Sequence, residues 1–196
     1  MPPRLAIALA AAALLAAPAR ATTVRSLDVG ELAAQAGLVF EGRVLSRVSR
    51  AGARGAIRTC VAFEVLEVVK GPAIATPYEL CFAGGASGRR AVRVDGMRYP
   101  EPGEHGIYFV ADPRGGRVNP LLGWDQGRFL VQGGAAPFVA TADGAPVADV
   151  ARDPAPAPGP SRGVARGARI ARPGEGALTP AAFKARVREL AGAGAP

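Results

Sequence analysis

The sequence predicts a mostly β domain, a small antiparallel barrel or sandwich, and three observations predict it. Five or more short segments alternate apolar and polar side chains with the two-residue period of a strand. Each is bounded by clusters of glycine and proline, the residues that turn a chain. Few of the intervening stretches carry a helical period, so successive strands connect as antiparallel neighbours.

Before the first strand comes MPPRLAIALAAAALLAAPARA: an early Arg4, an apolar run from Leu5 to Ala17, and the small-residue pattern Ala19-Arg20-Ala21. This predicts a signal peptide over residues 1–21, processing before Thr22, and a periplasmic or extracellular destination. The apolar run is thirteen residues long, too short to cross a hydrocarbon layer of roughly 30 Å as a helix, and no transmembrane anchor is predicted elsewhere. Leu27 to Leu32 reads as a helix start, with Asp28 as cap, Glu31 three residues on as in a capping box, and Leu27 stapled to Leu32. LVFEGRVLSRVSR then places Leu38, Phe40, Gly42, Val44 and Val48 on one face and Glu41, Arg43, Arg47 and Ser49 on a wet one. TCVAFEVLEVVKG continues the pattern, with Ile57, Val61, Phe63, Val65 and Val69 sharing one face and Arg58, Cys60, Glu64 and Lys70 the other. YELCF, GIYFVAD and GRFLVQ are further strands, and PFVATADGAPVADV reads as a C-terminal hairpin turning at Asp143-Gly144.

The domain is therefore placed at residues 22–150. Residues 151–177, dominated by Ala, Pro, Gly and Arg without apolar periodicity, read as a disordered linker. Over 178–196 a short helix is predicted, capped by Thr179, entered by Pro180, and striped with Phe183, Val187 and Leu190. Arginine outnumbers lysine 22 to 2, and the charge is uneven. Residues 22–150 hold 14 basic and 13 acidic side chains, residues 151–196 hold 8 and 3, so the basic excess is assigned to the tail.

Cys60 and Cys81 fit neither CxxC redox spacing nor a zinc site, since the chain has one histidine and no further cysteine. A hairpin folded about Lys70-Gly71 sets them opposite each other, which predicts a disulfide, with a pair of buried free thiols as the alternative. Such a bond closes a loop of about twenty residues and is expected to stabilise by on the order of 3 kcal/mol.

Candidate chemistry is sparse. His105, beside Glu104, is available as a general base or is simply a turn residue; no Gly-x-Ser-x-Gly elbow or HExxH motif accompanies it. The glycines before Arg89 and Arg90 could cradle an anion, but a strand rather than a helix follows, which favours a loop between strands. Trp124, beside Asp125, is an exposed recognition spot or a partly buried anchor. Arg89, Arg90, His105 and Trp124 form the candidate binding surface, with no metal site, no cofactor and no specific nucleic-acid partner.

Several stretches taken in order, LVFEGRVLSR, TCVAFEVLEVVKG, the Gly84-Gly85 pair, YPEPGEHGIYFV and GWDQGRFLV, resemble the bacterial exported domains related to the tissue inhibitor of metalloproteinases and netrin modules. The resemblance covers about residues 24–132 and implies a five-stranded OB-fold barrel. In the animal inhibitors an amino-terminal cysteine chelates the protease zinc; here Thr22 stands at the expected terminus, so that mechanism is not carried over. The expectation is a non-enzymatic exported module that binds a protein partner. Alternatives are an inhibitor-like protein lacking the chelating cysteine, an envelope protein that binds an anionic polymer, and, last, a small hydrolase using His105.

Overall fold

The computed structural model describes residues 24–52, 55–155, 159–161 and 163–193. The predicted signal peptide and Thr22 lie outside the described residues. The capped start forms as expected: α1 spans Val29–Gln35, the Asp28 carboxylate accepts from the Glu31 amide (2.9 Å), and the Glu31 carboxylate accepts from the Asp28 amide (2.9 Å). Strands β1 (Leu38–Ala51), β2 (Ile57–Lys70), β3 (Tyr78–Ala83), β6 (His105–Val110), β7 (Arg128–Gln132) and β8 (Phe138–Thr141) make one antiparallel sheet in the order β3-β2-β1-β6-β7-β8. A small hairpin, β4 (Gly85–Ser87) and β5 (Arg90–Val92), lies against the β1–β2 arm. A second ladder pairs β9 (Val147–Val150) with β10 (Ala168–Ile170), and α2 spans Pro180–Gly192.

The sheet is open where the resemblance implies a closed barrel of five strands: β3 and β8 stand at opposite edges of six. Closure is one way to bury a sheet's inner face; here both faces are covered by other means. On one side Val39, Ile107, Phe109, Phe129 and Val139 pack with Leu32 and Ala33 of α1 and with Phe183 and Val187 of α2. On the other, Leu38, Phe40, Val61, Phe63, Phe82, Tyr108 and Val110 pack together, with Leu121, Met97 and Tyr99 against them. Phe40, Phe63 and Tyr108 form an aromatic centre with ring centroids 4.8–5.3 Å apart.

Two-sided burial corrects the wet face expected for β1. Val39 and Glu41 are buried beneath the helices, whereas Arg43 and Arg47 are exposed as expected and beyond Val44 the strand is mostly exposed on both faces. Register shifts account for the rest. Glu41 pairs with Glu67 but Gly42 pairs with Val65, so Leu66 is an extra residue; Val65 and Val69, expected on one face, enter different cores. Another shift between Val44 and Ser46 leaves Leu45 as an extra residue and turns Val48 outward.

The stretch expected to be a structureless linker contributes β10, buries Ala165, and passes alongside α1, where the Val29 amide donates to the Arg166 carbonyl (3.0 Å). The boundary at 150 therefore does not divide the packing. The expected C-terminal hairpin is also incomplete: the turn at Asp143-Gly144 closes, with the Gly144 amide donating to the Thr141 carbonyl (2.9 Å), but β9 then leaves β8 to pair with β10. The terminal helix follows the sequence reading: Thr179 accepts from the Ala182 amide (3.2 Å), Pro180 opens the helix, and Phe183 and Val187 are fully buried.

Candidate functional site

His105 opens β6 at the rim of a groove of 540 Å³ lined by Arg43, Glu104, Leu130, Gln132 and Pro137 among others. Its sequence neighbour Glu104 is not its partner, because adjacent strand residues point to opposite faces. Glu104 instead accepts from the Tyr108 hydroxyl (3.0 Å) and from Arg128 Nε (2.9 Å). Burial, reinforced by that carboxylate, pushes the Tyr108 phenol well above its usual 10.0, so it remains a neutral donor.

The carboxylate beside His105 comes from β1. His105 Nε2 lies 2.8 Å from Glu41 Oε1, and the other Glu41 oxygen accepts from Lys184 of α2. Lys184 also donates to Glu67, which in turn accepts from Arg188. The result is a row, His105–Glu41–Lys184–Glu67–Arg188, running from the groove under the terminal helix. Lys184 and Glu41 each keep only 10% of their side chains exposed. Burial alone would lower the Lys184 pKa, but its hydrogen bonds to Glu41 and Glu67 outweigh that and hold it above the usual 10.5. Chiefly through Lys184, the same contact holds Glu67 below the usual 4.5.

With Nε2 committed to Glu41, His105 has only Nδ1 left for other chemistry. Among the described residues lining the groove there is no serine, threonine or cysteine to activate. The arrangement positions α2 on the sheet.

The remaining candidates are dispersed. Cys60 and Cys81 are directly opposed across β2 and β3, with Cα atoms 4.0 Å apart, and form the expected disulfide. Arg89 and Arg90 sit at the tip of the β4–β5 hairpin, so the glycine-rich stretch is a two-residue turn with Gly88 at positive φ, and no helix follows it. Arg90 donates to the Gly55 carbonyl (3.1 Å), tying that hairpin to the β1–β2 connection. Trp124 is half-buried, takes a left-handed backbone (φ 62°), and lines a different groove from His105, beside Arg98 and Asp125, which pair at 2.6 Å. The four candidate surface residues thus do not form one site.

Sequence reasoning missed Glu41, read as a solvated strand residue, and Lys184, whose helix was expected to dock on the body through the Phe183, Val187 and Leu190 stripe and not through a buried ion pair. It also missed Gln126, whose buried amide accepts from the Leu27 amide (2.7 Å) and donates to the carbonyls of Arg25 and Gly123 (2.9 Å each). A glutamine in a strand-proximal turn followed by Gly127, where a Cβ would meet the Leu122 carbonyl at 2.3 Å, was the signal that could have found it. No family model, curated protein or solved structure matches the chain.

Proposed function

We propose that the chain is a non-enzymatic exported binding module. The observation that carries the reading is the commitment of His105, the sole histidine, to a buried row of ion pairs that docks α2. A general base needs a group to activate within hydrogen-bond reach; Nε2 is held by Glu41, and no serine, threonine or cysteine among the described residues lines the groove beside the remaining Nδ1. The Cys60–Cys81 disulfide is compatible with an oxidising compartment. Among the described residues no helix is long and apolar enough to cross a membrane. Kinship with the netrin-like exported domains is part of the proposal and rests on the order of the sequence motifs alone.

The test uses the processed full-length protein in two arms. Immobilised protein is exposed to the periplasmic and secreted fraction and to zinc endopeptidases, where saturable stoichiometric binding is expected. In parallel, ester, peptide and glycoside substrates are assayed with the parent and with His105→Gln. Turnover that the substitution abolishes would overturn the reading.

A further inference from the structure

The arginines divide into two populations. Twelve of the eighteen described arginines lie within ion-pair distance of a carboxylate, including Arg166, Arg169, Arg186 and Arg188 of the region that looked most basic in sequence. Six do not, and four of these, Arg58, Arg89, Arg90 and Arg117, converge on the end of the β1–β2 arm. The convergence is fixed by backbone contacts. Arg58 Nη2 donates to the carbonyls of Cys81 (2.6 Å) and Arg117 (3.0 Å), Arg90 reaches the Gly55 carbonyl, and the Ala83 amide donates to the Val118 carbonyl (2.8 Å). The one carboxylate on β3, Glu79, is taken by Arg50 (3.4 Å).

We propose that this end of the arm binds a linear polyanion bearing repeated phosphate groups; the proposal rests on the binding-module reading above and names its ligand class. Three features argue for it. Like charges gathered with no carboxylate within ion-pair distance repel one another and are neutralised by an external anion; Asp112, which feels the Arg117 charge, is itself held by Arg114 (3.2 Å). The guanidinium fork matches a phosphate with two parallel hydrogen bonds; Arg90 is braced by the Gly55 carbonyl with one Nη2 hydrogen to spare, Arg89 and Arg117 stand exposed, and Arg58, both of its Nη2 hydrogens spent on carbonyls, adds charge beneath them. The four are carried on separate segments, an extended spread that suits phosphates along a chain. A bilayer surface is the weaker match: among the described residues the large apolar side chains exposed along this part of the arm are Val48, Val92 and Val118, with none of the aromatic residues that anchor a protein among headgroups.

The experiment titrates the processed full-length protein with long-chain inorganic polyphosphate over a range of salt, and separately with vesicles half composed of phosphatidylglycerol. Arg89→Gln with Arg117→Gln removes two guanidinium groups whose side chains make no hydrogen bond among the described residues, and a melting curve confirms that the fold survives. Arg152→Gln with Arg172→Gln removes the same charge elsewhere. The expected result is saturable polyphosphate binding that weakens about tenfold or more in the first pair. The salt slope should fall by roughly 0.7–0.9 for each phosphate-binding guanidinium removed, while the second pair stays within about twofold of the parent. Equal weakening in both pairs would reduce the effect to diffuse charge and overturn the proposal. So would absence of polyphosphate binding, or binding confined to vesicles. None of these outcomes touches the non-enzymatic reading, which the His105→Gln turnover assay decides.

Discussion

Lys184 concentrates more of this protein's organisation than any residue the sequence marks as special. Its ammonium lies between Glu41 of the central strand and Glu67 of β2, so removing it leaves the buried Glu41 without its ammonium partner. Lys184→Met should destabilise by on the order of 3 kcal/mol, the usual cost of orphaning one member of a buried pair, measured by denaturant unfolding. The same contact sets a pH dependence. Glu67 titrates below 4.5, so its contribution is present above that pH and is lost as the pH falls through the lowered value. Lys184 titrates above 10.5, so its contribution is present below that pH and is lost as the pH rises beyond it. Melting temperature should therefore lose this contribution only below about 4.5 and above about 10.5, and in Lys184→Met the acid limb should shrink; an unchanged acid limb would show that other carboxylates govern it. Little of this was legible in the sequence. His105 drew notice for being alone, but Glu41 obeys the alternation of a wet strand face, and its partner arrives 143 positions later. Local periodicity carries no information about which distant helix will cover a strand.

Elements whose causes are local were legible; those whose causes lie in a partner were not. The capping box of α1, the Thr179-Pro180 start of α2 and the alternation in YELCF depend on residues a few positions apart, and each appears where the sequence puts it. The bulges of the β1–β2 pair depend on how two strands accommodate each other across a twisted ladder, so Val48 turned outward, and Val65 and Val69 parted, unforeseen. The Lys70-Gly71 corner lies between these cases. It was legible as a turn, but its second role was not: Lys70 Nζ donates to the Ala33 and Ala34 carbonyls (2.7 and 2.8 Å), closing the C-terminal end of α1. Gly71 follows at φ 104°, where a Cβ would meet the Gly37 carbonyl at 2.5 Å. Gly71→Ala should cost about 2 kcal/mol or more and shift the unfolding midpoint accordingly, whereas Gly88→Ala, with open space around it, carries only the backbone strain and should cost less. The disulfide ties β3, an edge strand, to β2. Replacing both cysteines by serine should lower stability by about 3 kcal/mol, read from unfolding with and without reductant; a parent insensitive to reductant would contradict it.

At the level of the whole molecule the chain behaves as one packing unit. Phe183 stacks on Phe129 (4.7 Å) in the core under the sheet, and Arg166 reaches Asp28, Glu31 and Asp153 at 3.3–3.8 Å. A chain ending at Val150 exposes that face, so residues 22–150 alone should fail to unfold cooperatively on heating, while residues 22–193 should give a single transition. A sharp two-state melt from the shorter chain would show that the sheet is self-sufficient. The net charge of the tail was legible, but its consequence was not, because counting charges in sequence cannot reveal which of them the fold pairs. Gln126 illustrates the same distance from local rules, holding the entering chain at Arg25 and Leu27 from about a hundred positions away. That clamp, together with a helix that arrives last to cover a strand made first, has a bearing on biogenesis. The amino-terminal part cannot reach its final packing until α2 has been made, so the nascent chain carries an uncovered apolar face, the kind of surface that chaperones hold, for most of its synthesis.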